Sequence, residues 1–298
     1  MTRLSGSPDL TPSVIGRSRR LAWTATFAVA LSVVSGCSIL PRSRTTGTIA
    51  TREFSTTVLL HGKALELHLA APQTPSADHV VVVYASGDGG WFGTAVDMFR
   101  QIGKAGYFAV GFSSRAFLKI ERPRGTLANA AQLAAEYEQI LAQARSAMGL
   151  DATNRTMLTG WSRGAAFSVL VGSEPAQQDP VLGVIAIGLA EGEDLKISGA
   201  DDETDDGGRT SIEGRQWPFD TYALIARLGP VPCAVIQATH DNYLPATRAR
   251  ELFGPDTPLR RFYAVDAKNH RFSGGKAAFD AAFLEAIRWV ASHGRSTG

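Results

Sequence analysis

Three kinds of hydrophobic pattern follow one another along this chain. Phe54 to Leu60 and Ala64 to Ala71 alternate apolar and polar residues on either side of His61-Gly62-Lys63, which predicts an antiparallel hairpin with one covered face. His79 to Ala85 (HVVVVYA) does not alternate, and a short β-branched run of that kind predicts a strand buried on both faces. Beyond it, apolar runs and helically spaced segments take turns. Helices are predicted over Trp91 to Ala105, near Leu127 to Met148, from Ser162 onward, near Ala246 to Leu252 and over Gly275 to Ser292. The strands between them are Tyr107 to Phe112, Arg155 to Thr159, Val181 to Leu189, Val231 to Ala238 and Leu259 to Val265. An antiparallel pair followed by repeated strand–helix units implies one α/β domain with a mostly parallel, doubly wound sheet. Gly192 to Gly214 breaks the rhythm. Its acidic stretch, Asp201 to Gly208, is too polar and glycine-rich for a core and reads as a small lid-like insertion. The spacing does not match an EF-hand loop, so no metal is expected there.

The N-terminus follows another logic. Arg17, Arg19 and Arg20 precede an uncharged stretch, Leu21 to Gly36, that is short for a membrane span and suits the apolar part of a secretory signal. Val34-Ser35-Gly36-Cys37 then resembles a bacterial lipobox, in which a cysteine is lipidated and becomes the new N-terminus. The expected organisation is a lipoprotein signal peptide over 1–36, a polar tether over 37–53 and a single domain over 54–298. An uncleaved membrane anchor is the alternative, and either arrangement holds the domain at a membrane outside the cytoplasm. Ser38, where an Asp would suggest inner-membrane retention, favours a periplasm-facing outer-membrane lipoprotein. Export through the general or the twin-arginine route is left open. With Cys37 lipidated, Cys233 is alone of the chain's two cysteines and reads as a small buried hydrophobe.

Composition narrows the classes further. The chain has 298 residues, 44% of them hydrophobic and 19% charged, as in an ordinary globular protein. A net charge of +2 without a basic, aromatic-interleaved stretch argues against a nucleic-acid partner.

The candidate chemistry centres on Gly160-Trp161-Ser162-Arg163-Gly164. A serine hydroxyl needs a base to become a nucleophile, and G-x-S-x-G between a buried strand and a helix is the turn that presents such a serine. Partners should follow in the order acid, then histidine. Asp241, at the carboxyl end of the strand ending in Ala238, is the expected acid, with Glu191 and Asp194 in reserve and a helix N-cap as its alternative role. Of the six histidines, His61, His68 and His79 precede the serine, His240 adjoins the acid and His293 lies near the C-terminus. His270, between the last predicted strand and helix, is the expected base. The loop Ser86 to Trp91 (SGDGGW) follows the buried valine strand, where an oxyanion site is expected. The backbone N–H groups of Asp88 and Arg163 are the expected donors, with Gly87 the alternative to Asp88. Gly87, Trp91 and Trp161 are candidate substrate contacts, although both tryptophans suit packing equally well. The side chains of Arg115 and Arg163 either place positive charge near the site or pair with surface acids. SGDGG lacks the spacing of a nucleotide loop, so no cofactor is expected.

SGDGGW after a valine-rich strand, GYFAVGFSSRAFLK, the G-x-S-x-G-A segment and a late His-x-Phe resemble the VirJ/AcvB bacterial virulence family of α/β-hydrolases, across Val80 to Phe272. The resemblance implies an α/β-hydrolase fold with Ser162, Asp241 and His270 as its triad, and membership among virulence-associated envelope proteins. Larger members of that family are linked to hydrolysis of aminoacylated phosphatidylglycerol, which implies an ester substrate, lipid-linked or anionic. The elbow reads Gly-Trp-Ser-Arg-Gly where that family often has Gly-Tyr-Ser-Phe-Gly, and the acid loop differs as well. Two functions are expected from all this. One is a membrane-tethered serine hydrolase acting on an envelope ester. The other is a non-catalytic envelope protein that uses the same fold to bind a protein partner.

Overall fold

The valine run that fails to alternate forms β3 (Val80–Ala85), near the middle of an eight-stranded sheet. Val81, Val83 and Ala85 enter one apolar cluster while Val80, Val82 and Tyr84 enter another, so each face of the strand is covered separately. A side-chain period of two inside a continuous apolar run requires this. The computed structural model describes residues 50–123, 129–175, 180–196 and 217–294, all of which belong to the unit Gly47–Gly298. The expected signal segment, Cys37, most of the tether and the acidic stretch Asp201 to Gly208 lie outside the described residues.

The predicted hairpin is β1 (Thr51–Leu60) paired with β2 (Lys63–Pro72), turning at His61 and at Gly62, whose φ is +76°. β1 thus begins three residues inside the stretch expected as tether. The other strands are β4 (Phe108–Phe112), β5 (Arg155–Trp161), β6 (Val181–Ile187), β9 (Cys233–Ala238) and β10 (Arg260–Val265). The sheet order is β1-β2-β4-β3-β5-β6-β9-β10, antiparallel from β1 to β4 and parallel thereafter. One face is covered by α1 (Thr94–Lys104) and α7 (Lys276–His293). The other carries α3 (Ala130–Met148) and α4 (Arg163–Gly172), with α5 (Thr221–Arg227) and α6 (Ala246–Phe253) beside them. Helices on both faces of a mostly parallel sheet bear out the doubly wound reading.

Four elements escaped the sequence. α2 (Ser114–Leu118) is a single short turn capped by the Ser113 hydroxyl, too short to show a period. β7 (Gly192–Glu193) and β8 (Phe219–Asp220) pair antiparallel at the root of the expected insertion, whose residues 197–216 lie outside those described. α5, the fourth, follows directly, with the Asp220 carboxylate accepting from the Ala223 N–H at its N-cap. Element ends also moved. α1 begins at Thr94 rather than Trp91 because the Trp91 ring stacks on His68, and Gly93 enters the helix with φ +52°.

A buried ion pair fastens the hairpin end of the sheet to α3. Arg122 donates to both carboxylate oxygens of Glu136, at 2.8 and 2.6 Å, and caps the Ile120 and Phe117 carbonyls. His61 reaches the same carboxylate at 2.9 Å from the turn between β1 and β2. Among the described residues no helix is long and apolar enough to cross a membrane.

Candidate active site

Ser162 stands between the end of β5 and the start of α4 with φ +58° and ψ −121°, a region that costs a non-glycine residue about 1–3 kcal/mol. The surroundings impose that geometry. The Ser162 N–H is held by the Ile187 carbonyl at 2.8 Å. A Cβ on Gly160 would meet the Gly164 backbone at 2.2 Å, and a Cβ on Gly164 would lie 2.0 Å from the Ala85 carbonyl oxygen. Both glycines of the motif are therefore needed because main chain crosses main chain there.

Asp241 and His270 arrive from different strand ends. Asp241 follows β9, and its Oδ1 accepts from the N–H groups of Tyr243 at 2.9 Å and Leu244 at 3.4 Å. Its Oδ2 accepts from His270 Nδ1 at 2.7 Å and from Gln237 Nε2 at 3.2 Å. A carboxylate can only accept, so the pairing turns the Nδ1 N–H toward Asp241 and leaves Nε2 on the far side of the ring. Both residues are buried, at 2% and 7% exposure. The α6 helix that Asp241 was alternatively expected to cap has Pro245 at its N-cap position instead, with no side-chain cap.

The imidazole is fixed on several sides. Trp161 stacks on it at 5.5 Å and donates its indole N–H to the His270 carbonyl at 3.2 Å. Tyr243 meets the ring edge-on at 4.8 Å. A Cβ on Gly188 would strike His270 Cε1 at 2.7 Å. The ring thus lies against both segments that frame the serine, since Trp161 precedes Ser162 and Gly188 follows the carbonyl that holds the Ser162 N–H. Nε2 of His270 is buried and has no hydrogen-bond partner among the described residues.

The SGDGGW loop runs over the same turn. A Cβ on Gly87 would lie 3.1 Å from Ser162 Cβ. The Gly87 carbonyl accepts from the Ser114 hydroxyl at 3.1 Å, the Gly90 N–H at 3.1 Å and the Ser86 hydroxyl at 3.2 Å. Since the peptide is planar and trans, the Asp88 N–H projects away from that carbonyl. It meets no acceptor among the described residues. The Arg163 N–H opens α4 and also lacks an intrahelical acceptor. Two N–H donors beside a half-buried serine can hold an anionic oxygen.

The remaining candidates separate. Trp91 packs on His68 at 4.2 Å and on Phe99 at 5.1 Å, as a structural residue behind the loop, whereas Trp161 lies against the histidine. The Arg163 side chain is nearly buried and pairs with Asp88 at 2.7 Å, Glu193 at 3.2 Å and Asp194 at 3.8 Å. Burial pushes the Glu193 carboxyl above the usual range, and Arg163 opposes that shift. His240 is exposed, and Cys233 is buried with its thiol pushed up to about 12. Sequence reasoning missed Gln237, Gly188, Ser114 and Tyr243. Tyr243 alone carried a signal, its place two residues after the acid; the rest act through contacts between segments far apart in the chain. Among the described residues, no group of three or more His, Cys, Asp and Glu is placed to hold a metal ion.

No protein-family model matches the chain, and comparison with curated proteins gives no match either. Solved structures do match. A dienelactone hydrolase from Klebsiella pneumoniae superposes with a TM-score of 0.57 at 13% identity, covering 81% of this chain and 99% of its own. Est1E from Butyrivibrio proteoclasticus gives 0.56 at 11% identity, covering 80% of this chain and 99% of its own. DcsB, solved with a substrate analogue, gives 0.59 at 13%, covering 81% and 100%. The fold is that of the α/β-hydrolases, as the order of motifs led us to expect. At these identities the likeness establishes the fold.

Proposed function

We propose that this protein is a serine hydrolase that cleaves a carboxylic ester. The observation that carries the reading is the buried Asp241–His270 pair, whose Nε2 is left without a partner and whose ring stacks on Trp161, the residue before a serine held at positive φ. Ser162 Oγ attacks the acyl carbon while His270 Nε2 takes its proton, and Asp241 stabilises the imidazolium. The oxyanion is received by the N–H groups of Asp88 and Arg163. His270 then protonates the departing alcohol, and water attacks the acyl-enzyme by the same route. The esterases and hydrolases among the structural neighbours support this class. For substrate and place, the resemblance to the VirJ/AcvB family and the lipobox-like Val34 to Cys37 support an envelope ester, aminoacyl-phospholipid among them. The domain would then be tethered through lipidated Cys37 and face the periplasm from the outer membrane.

The test uses full-length protein with a fluorophosphonate probe and p-nitrophenyl butyrate. Wild type labels and turns over, Ser162→Ala loses both, and Asp241→Asn and His270→Ala fall at least a hundredfold. A folded wild type that neither labels nor turns over refutes the enzyme and leaves a binding protein. Cys37→Ala releases the protein from membranes or blocks its processing; unchanged fractionation with normal processing overturns the anchor. Accumulation of an aminoacylated phospholipid in a deletion strain identifies the substrate, and an unchanged lipid profile removes it.

A further inference from the structure

The residue after the nucleophile carries a guanidinium whose surroundings define its task. Arg163 donates from Nε to Glu193 Oε2 at 3.2 Å, and Glu193 is itself fixed, since its Oε1 accepts from the N–H groups of Asp194 at 3.0 Å and Leu195 at 2.8 Å. On the other side, the Arg163 Nη1 holds Asp88 Oδ1 at 2.7 Å. The Asp88 side chain is half-exposed, whereas that of Arg163 is only 11% exposed. An anionic substrate would have to displace Asp88, Glu193 and Asp194 to reach this charge.

We infer that the Arg163 side chain is a positioning group for the oxyanion hole, drawing the Asp88 loop toward the nucleophile turn from a fixed anchor at Glu193. The inference rests on the serine-hydrolase reading above and deepens it. Asp88 is held twice, since the Gly87 carbonyl is gripped by Ser114 while the Asp88 carboxylate is gripped by Arg163. The peptide N–H between those two grips is the proposed donor. One chain position thus supplies a donor through its backbone and aligns the other donor through its side chain. A bidentate, planar guanidinium suits this task, and a lysine ammonium reaching one partner at a time does not.

Donor misalignment affects a developing oxyanion far more than a neutral ester. In full-length enzyme normalised by fluorophosphonate titration of active sites, Arg163→Met lowers kcat on p-nitrophenyl butyrate about ten- to a hundredfold, with KM changed less than about threefold. The inhibition constant of an aryl trifluoromethyl ketone, whose serine adduct places an oxyanion in the hole, rises by the same factor. Asp88→Asn keeps its backbone N–H and changes a half-exposed side chain, so it folds whatever Arg163→Met does; it reproduces the loss, and the double variant is no worse than Arg163→Met alone. Arg163→Lys recovers only part of the rate. A KM that rises tenfold for a succinate half-ester at unchanged kcat overturns the inference in favour of substrate contact. Unchanged kcat and inhibition in both single variants overturn it in favour of a surface cluster. A folded wild type that neither labels nor turns over removes the hydrolase reading and this inference with it, whereas an active wild type matched by both variants removes this inference alone.

Discussion

Replacing Gly164 with alanine adds one methyl group at the tightest backbone crossing in the site. The new Cβ would lie 2.0 Å from the Ala85 carbonyl oxygen, 2.5 Å from its carbon and 2.8 Å from the Ser86 carbonyl oxygen. All three are backbone atoms, so no side-chain rotation relieves the contact. Reaching ordinary contact near 3.4 Å requires the end of β3 and the start of α4 to part by more than 1 Å. Overpacking of this kind costs about 1–3 kcal/mol, equivalent to a fall in Tm of roughly 3–10 °C for a domain of this size. The rate consequence is larger in proportion. The part of the chain pushed away is the root of the SGDGGW loop, and a 1 Å misplacement of a catalytic group costs about a hundredfold. Gly62→Ala is the matched control, since Gly62 has φ +76° and nothing within 4 Å of a built Cβ. It should lose about 1–2 kcal/mol from backbone strain and leave the rate unchanged. Thermal melts and p-nitrophenyl ester turnover on the same preparations read both effects. If Gly164→Ala melts and reacts like wild type, the crossing is slack and the steric account of the motif is wrong.

Three other outcomes follow from the same contacts. Gln237→Leu removes the second donor to Asp241 Oδ2 and the donor to the Leu244 carbonyl at 2.6 Å, so it should lower kcat about tenfold and cost about 1–3 kcal/mol of stability; an unchanged kcat denies Gln237 its positioning role. Glu136→Leu strands the buried Arg122 guanidinium and should cost about 3–5 kcal/mol by urea denaturation, whereas the double variant Arg122→Met/Glu136→Leu recovers most of it; a double variant no better than the single contradicts this. Because burial raises the Glu193 carboxyl above its ordinary 4.5, protonation favours the folded state, with that stabilisation complete below 4.5 and lost as pH rises through the higher folded value. The melting temperature of wild type relative to Glu193→Gln should therefore climb as pH falls from 7 toward 5, and a flat or falling difference sinks that account.

The strand and helix order was legible because burial leaves periodic traces. Val80 to Ala85 is apolar at every position because both faces of the sheet are covered there, and the β5–Ser162–α4 unit showed its change of period directly. Asp241 and His270 were found from chain order and from their places after strand ends. The sequence was silent where elements are short, as with α2 and the β7/β8 pair, since two to five residues cannot display a period. It was silent also about Gln237, Gly188 and Ser114, which are ordinary residues until a distant segment is folded against them.

Arg163 shows where sequence reading stops. By itself the sequence determined that a serine stands between a strand and a helix, that an acid and a histidine follow in order, and that a glycine-rich loop precedes them, because each of these is a local pattern. It left the guanidinium either free for an anion or paired on the surface. Only the tertiary structure decided that three carboxylates from two other segments surround it. Such pairing depends on distances in space, which residue spacing along the chain does not encode.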